Sequence, residues 1–223
     1  MTPEEIVSRL LYRDGLMLVI DKPPGFAVHR GPKGGESLAD HFAALRFGLP
    51  RAPALAQLGR LFKTGAVEKL YWAVVEGEPA TDEGQINLPL GRLDIARGWW
   101  MKHDPSGQPA VTKWKVIGRS QKGGGNLTWL LLEPLTGRTH QLRVHCAAMG
   151  WPILGDAIYG RAPRSGGPPL HLHAREVSVP LYKNRPPIRI IAPVPAHMRA
   201  ALTQCGWREG DNILLRFAGE DGF

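Results

Sequence analysis

Arg138 and Arg143 stand five residues apart in the segment Leu135-Thr136-Gly137-Arg138-Thr139-His140-Gln141-Leu142-Arg143-Val144-His145. The segment reads as a turn entering a helix over 139–149, with Leu142, Cys146 and Met149 on one face and Gly150 behind. The unpaired N–H groups at a helix start and a nearby guanidinium together make an anion site. One arginine could hold a phosphate while the other holds a carboxylate. The competing reading is a basic helix face in which neither arginine needs a partner.

The histidines offer less. His140 and His145 are five apart, and His171 and His173 are two apart. A zinc site of the HExxH kind needs an i, i+4 pair with a glutamate beside it, and neither condition is met. These side chains are read as hydrogen-bonding or nucleic-acid-facing, and no metal is expected. Cys146 and Cys205 are the only cysteines, which excludes a disulfide scaffold and any CxxC zinc or redox motif. No GxSxG and no P-loop is present, and Gly123-Gly124-Gly125 reads as a hairpin loop.

The elements that must position these residues are legible from periodicity. Leu16–Ile20 reads as a buried strand stopped by Asp21-Lys22-Pro23-Pro24-Gly25. Ser37 and Asp40 resemble a capping box ahead of Leu38, Phe42 and Leu45 at helical spacing, with Gly48 as the terminator. A short amphipathic helix is predicted over 56–66, with Leu58, Leu61 and Phe62 on one face. Strands are predicted over 67–76, 86–90, 111–117, 127–133, 176–179 and 188–191, and a last helix over 195–204. Strands and helices without regular βαβ alternation predict an α+β fold, a mostly antiparallel mixed sheet with flanking helices.

The chain has 223 residues, with 28 basic and 20 acidic side chains, for a net charge of +8. Residues 1–111 carry 13 of each sign, whereas 112–223 carry 15 basic and 7 acidic. A one-sided excess spread over many segments points to a folded cationic surface for a polyanion, most plausibly RNA or DNA; a merely soluble basic face is the alternative. No apolar run approaches the length of a membrane span, and Met1–Leu10 lacks a signal-peptide core. A cytoplasmic protein is expected.

Taken together, Gly137–His145 and Pro152-Ile153-Leu154-Gly155-Asp156-Ala157-Ile158-Tyr159-Gly160 strongly resemble the signature of the Rlu-type pseudouridine synthases. Leu18–Gly25, Val67–Gly77, Gly107–Thr112 and Leu170–Ala174 match further ordered segments of that family. The resemblance implies the family's catalytic-domain fold, no metal or organic cofactor, and a partner that is structured RNA, either rRNA or tRNA. It implies a flipped uridine whose N1–C1′ bond breaks and whose uracil rotates and rejoins through C5. An essential aspartate works at the sugar, as nucleophile or as base. Arg143 matches the arginine that keeps this carboxylate ionised, and Tyr71 matches the tyrosine that stacks beside the uracil near C5. These two are the expected catalytic residues. Lys22, Arg138 and His140 are expected to bind RNA or, for Lys22 and Arg138, to support the site; a surface-cation reading of Lys22 and Arg138 stays open. One catalytic domain over 1–223 is expected, with no S4-like module in front because the chain begins almost at the first core strand, and a monomer is expected although the sequence does not encode oligomeric state.

The departure lies between Pro50 and Tyr71. There the family carries a His-Arg-Leu-Asp-x-x-Thr-Ser-Gly motif with a following strand, and this chain runs from Leu55 straight into Ala56-Gln57-Leu58. Glu68 is the only acid in that interval. Arg92-Leu93-Asp94 and Asp156 match other parts of the family pattern and are not expected to replace the aspartate. The expected fold therefore lacks one strand-loop segment. The chain as written is expected to be inactive as an isomerase, or else a catalytically silent RNA-binding protein of the same fold. With its carboxylate gone, Arg143 is expected to face solvent or an ordered anion.

Overall fold

The computed structural model describes residues 2–30, 34–45, 52–94, 99–120, 126–211 and 217. In chain order its elements begin α1 (Pro3–Ser8), β1 (Leu10–Arg13), β2 (Leu18–Ile20), a 3-10 helix (Leu38–Leu45), α2 (Ala52–Lys63) and β3 (Glu68–Glu76). There follow β4 (Glu83–Asn87), β5 (Leu90–Arg92), β6 (Met101–His103), β7 (Val111–Arg119), β8 (Leu127–Pro134) and α3 (Gln141–Ala148). The chain closes with β9 (Leu172–Val179), β10 (Ile188–Ile191) and α4 (Ala196–Gln204). The class is α+β, as expected. Contacts divide the chain into two compact units, one of residues 1–68 and 176–193, the other of 69–175 and 194–223.

In the first unit β1 and β2 pair antiparallel around the Asp14 turn. One Asp14 oxygen accepts the amides of Leu16 and Met17 at 2.7 and 2.8 Å, and the other accepts the phenols of Tyr12 and Tyr182 at 2.7 and 2.8 Å. The end of β9 pairs antiparallel with β10. Met17, Val67, Val179, Leu181 and Ile190 form its larger core, against which Leu58 and Leu61 of α2 pack. Phe62, expected on that same face, is 53% exposed instead, and Leu55 is 71% exposed. Residues 58 and 61 set the buried side of α2, so 55 and 62, seven apart, share the outward one. The helix also starts at Ala52, earlier than expected, and runs without a break through the Leu55–Ala56 junction. The Ser37/Asp40 box forms differently from expectation. The Asp40 carboxylate accepts both the amide and the hydroxyl of Ser37, at 2.9 and 3.0 Å, and the helix that follows is 3-10. Gly48 and Gly123–Gly125 lie outside the described residues.

The second unit is built on the antiparallel order β4-β7-β8-β3, with the first half of β9 beyond β3. Alternation along the strands sorts side chains to two faces. Trp72, Val74, Trp129 and Leu131 go to one core with Met198 and Leu202 of α4. Ala73, Val75, Leu130 and Leu132 go to the other with Leu142 and Cys146 of α3. Strand β8 is thus buried on both faces, which is why Trp129-Leu130-Leu131-Leu132 reads as an unbroken apolar run. Where β7 bulges against β8, a Cβ on Gly118 would sit 1.9 Å from the Cys205 carbonyl oxygen, so only glycine fits beneath the end of α4. The expected strand over 86–90 is two strands, β4 and β5, and β5 pairs with β6 as a separate hairpin. Leu202→Ala should cost about 2–5 kcal/mol, because the side chain is fully buried and the cavity cannot close around α4. Urea unfolding, read through the midpoint at unchanged slope, checks this.

Candidate active site

Lys69 and Tyr71 lie two apart on β3 and point to the same face of the sheet. The turn ahead of α3 brings Arg138 and His140 to that face, and α3 itself brings Gln141 and Arg143. These six residues line one pocket of about 300 Å³. Tyr71 and Arg143, 72 positions apart along the chain, therefore line the same pocket.

The turn is fixed by the Gln141 side chain, buried at the start of α3. Its amide nitrogen donates to the Val111 carbonyl at 2.9 Å and to the Thr112 hydroxyl at 3.0 Å. Its oxygen accepts from the Thr136 hydroxyl at 2.7 Å and the Arg138 amide at 3.0 Å. Thr136 in turn accepts the Val111 amide at 2.9 Å. All four hydrogen-bonding positions of the buried amide are thus used, as burial demands. His145 completes the set. Nε2 donates to the Leu88 carbonyl at 3.0 Å, which leaves Nδ1 to accept from the Thr112 hydroxyl at 2.9 Å. His145 is a neutral core histidine, and burial as the main cause depresses its pKa.

His140 precedes the helix with φ 53° and ψ 17°, the one described non-glycine residue with positive φ. Side chains rarely adopt this conformation, and it persists where the surroundings over-determine it. Here the Gln141 network holds the backbone on one side. On the other, the imidazole Nδ1 meets the Tyr159 hydroxyl at 2.8 Å. Burial first, and the nearby Arg143 second, lower the His140 pKa against the opposing pull of Asp156. A neutral imidazole therefore faces the pocket. Burial likewise raises the Tyr71 phenol and lowers the Lys69 ammonium.

Arg143 does not face solvent or await an anion, contrary to expectation. Its Nε and one terminal nitrogen donate to the two oxygens of Asp156 at 2.8 and 2.7 Å. The guanidinium carbon also lies 5.1 Å from the Tyr159 ring centre. The side chain of Asp156 is 0% exposed. One of its oxygens further accepts the amides of Ile158 and Tyr159 at 2.9 and 3.0 Å. Burial pushes this carboxyl up, but the guanidinium and the two amides outweigh it and leave the pKa below the ordinary value. A carboxylate thirteen positions downstream thus closes the arginine. Gly155 makes the turn possible: it has φ +80°, and a Cβ there would sit 2.2 Å from the Pro169 carbonyl oxygen.

The remaining residues singled out from sequence fall as follows. Arg138 is exposed at the pocket rim, its Nε donating to the Pro109 carbonyl at 3.0 Å. Lys22 lies in the other unit, where its ammonium donates to the carbonyls of Pro23 and Phe26 at 3.0 and 2.8 Å and ties down the Pro-Pro-Gly turn. Among the described residues no group of three metal-ligating side chains converges. Sequence reasoning missed Lys69, Gln141, Asp156 and Tyr159 as parts of the site. Only the i, i+2 spacing of Lys69 and Tyr71 on a strand could have signalled one of them. Chemically, the pocket offers a planar phenol for stacking, a neutral imidazole and a cationic rim. Among the described residues its wall carries no carboxylate.

Residues 51–148 match a family model described as RNA pseudouridylate synthase. An uncharacterised RNA pseudouridine synthase of Zymomonas mobilis is 34% identical over 213 residues, covering 85% of this chain and 95% of that one. The ribosomal large subunit pseudouridine synthase C of Vibrio cholerae is 29% identical and covers 90% of this chain and 70% of its own. Among solved structures, human RNA pseudouridylate synthase domain containing 1 superposes with a TM-score of 0.72 at 25% identity, covering 87% of this chain and 86% of that one.

The Arg143–Asp156 pair has a testable cost. Asp156→Asn preserves shape but leaves a half-buried guanidinium without its counter-charge, which should destabilise the protein by about 3–5 kcal/mol. Because the carboxyl lies below its ordinary value, its contribution is complete above the unfolded carboxyl pKa, about 4, and is lost as pH falls through the folded one. Chemical denaturation between pH 7 and pH 3 should show this acid loss in the parent and a flatter dependence in the variant.

Proposed function

This chain belongs to the Rlu-type RNA pseudouridine synthase family, and we propose that it binds rRNA or tRNA at the α3 pocket without isomerising the uridine it receives. A base flipped out of the RNA stack would lie against Tyr71, with the cationic rim at its phosphates. The observation that carries the second half is the closed Arg143–Asp156 pair beside a pocket wall that, among the described residues, holds no carboxylate. Breaking N1–C1′ and forming C5–C1′ requires a carboxylate at the sugar in this family, and Arg143 is already engaged elsewhere.

Two further observations support loss of the family's aspartate segment. Helix α2 runs continuously through the Leu55–Ala56 junction and leaves Leu55 and Phe62 exposed, as a helix does when the strand that covered it is gone. The 213 positions aligned with the Zymomonas relative also exceed what 85% of a 223-residue chain can supply, so that relative carries residues this chain lacks. The proposal takes residues 1–223 as one synthase module acting as a monomer in the cytoplasm. Among the described residues no helix is long and apolar enough to cross a membrane.

A second reading, in which Asp156 itself is the working acid, is favoured by its contact with Arg143. Against it, one oxygen accepts a guanidinium and two amide donors, the other accepts the Arg143 Nε, and the side chain is fully buried. A nucleophile or base must reach the sugar, and a carboxylate with no exposed surface does not.

The purified chain should bind a structured rRNA stem-loop with log K falling steeply as log salt rises, since several phosphates are neutralised. It should form no pseudouridine on bulk rRNA or tRNA. Inserting a His-Arg-Leu-Asp-x-x-Thr-Ser-Gly loop and its strand between Leu55 and Ala56 should restore activity that depends on the inserted aspartate. Pseudouridine made by the unmodified chain, and abolished by Asp156→Ala without loss of RNA affinity, would establish the second reading instead. Binding that ignores salt would remove the RNA reading itself.

A further inference from the structure

Hairpin β5–β6 and the turn that follows Tyr159 carry an aromatic surface used by neither the pocket nor the cores of the second unit. Trp99 is 68% exposed. Beside it along the chain, Trp100 is covered by the Arg164 guanidinium, whose carbon lies 4.9 Å from the indole centre. The Leu93 amide donates to the Trp100 carbonyl at 2.7 Å and holds this end of the hairpin closed. Arg92, Lys102, Arg161 and Arg164, in and around the hairpin and the turn, are all exposed. Two acids belong to the same stretch. Asp94 is already engaged, and Asp104 spends one oxygen on the amide and hydroxyl of Ser106 at 3.0 and 2.8 Å.

The hairpin is joined to the pocket through the Tyr159 phenol and through Leu90 and Met101, which pack with Val144 of α3. The Met101 amide donates to the Tyr159 oxygen at 2.9 Å, and that hydroxyl meets His140 Nδ1 at 2.8 Å, on the pocket wall. The backbone next to Trp100 is therefore tied to the hydroxyl that His140 meets at the pocket wall.

We propose that Trp99 and the Trp100–Arg164 stack form a platform for an unpaired RNA base that lies in the same loop as the uridine held in the pocket. The inference rests on the RNA-binding reading above and specifies which RNA the chain prefers. The chemistry favours a nucleobase over a protein surface. An exposed indole and a guanidinium plane are the two groups on which unpaired bases stack, and the surrounding cations suit phosphates, whereas an apolar protein patch would be matched by an apolar rim. A fully paired helix has no free base face to offer, so the platform selects loops.

The test uses the full chain and two labelled RNAs, a stem-loop with a purine-rich loop and a duplex of equal length, read by fluorescence anisotropy at one salt concentration. Trp99→Ala should weaken binding of the stem-loop about tenfold and leave the duplex affinity unchanged, and Arg164→Ala should weaken the stem-loop more than the duplex, since a stacked base is worth ~1–3 kcal/mol. Trp99→Phe should retain most of the stem-loop affinity. Both positions are exposed, and an unchanged melting temperature verifies folding. Unchanged stem-loop affinity in both alanine variants, or equal losses on the two RNAs, overturns the platform while leaving RNA binding intact. A parent protein that binds neither RNA overturns both readings. Loss of self-association in Trp99→Ala, seen by sedimentation, with stem-loop affinity retained, assigns the surface to protein contact and likewise overturns it.

Discussion

The pairing of Arg143 with Asp156 is the interaction on which the candidate site depends. It joins α3 to the Ile153–Gly160 turn and places a full negative charge where water cannot reach it. Such a charge is tolerable only with complete compensation, here two guanidinium donors and two amides. Everything around it follows from that demand. Gly155 must take a left-handed conformation to bring the carboxylate in, Tyr159 stacks on the guanidinium, and the Tyr159 hydroxyl reaches His140. A guanidinium committed to a buried partner cannot orient a second carboxylate with the same two nitrogens.

The Gln141 network does for the backbone what the ion pair does for charge. It anchors the turn to β7 through Val111 and Thr112, and the left-handed His140 is held between it and Tyr159. Strain concentrated beside a pocket is the usual mark of a residue whose orientation matters more than its comfort. Burial lowers the His140 pKa and raises that of the Tyr71 phenol, so the cationic character of the pocket comes from the arginines and Lys69.

Much of the fold was legible in the sequence, because period-two alternation and apolar runs are local signals. Strands β3, β7, β8 and β10 and helices α3 and α4 fall where periodicity places them. What escaped was set by distant partners. Phe62 has the helical spacing of a core residue, yet the side of α2 that becomes buried is chosen by Leu58 and Leu61 against a cluster that draws Met17, Val179, Leu181 and Ile190 from distant parts of the chain. The three-residue strand β6 is too short to show a period. At the site, types and motifs brought Tyr71, Arg138, His140 and Arg143 into view, but the partner of Arg143 depends on a turn geometry that spacing does not encode. Asp156 was visible as a residue and invisible as a counter-ion.

Strand β8 has a consequence that belongs to the unfolded chain. Because it must satisfy two cores at once, residues 128–132 hold Thr-Trp-Leu-Leu-Leu without a charge or a proline. Such a stretch, before α3 and α4 are made, can pair with its like in another molecule as readily as with β3 and β7. The residues that follow it are Glu133 and Pro134, a charge and a chain-breaker at the segment's very end. They act as gatekeepers against self-assembly: proline withholds the amide that another copy would extend from, and glutamate resists stacking on its own kind. The double burial that makes the sheet stable is thus bounded, one residue later, by the means of keeping nascent chains apart.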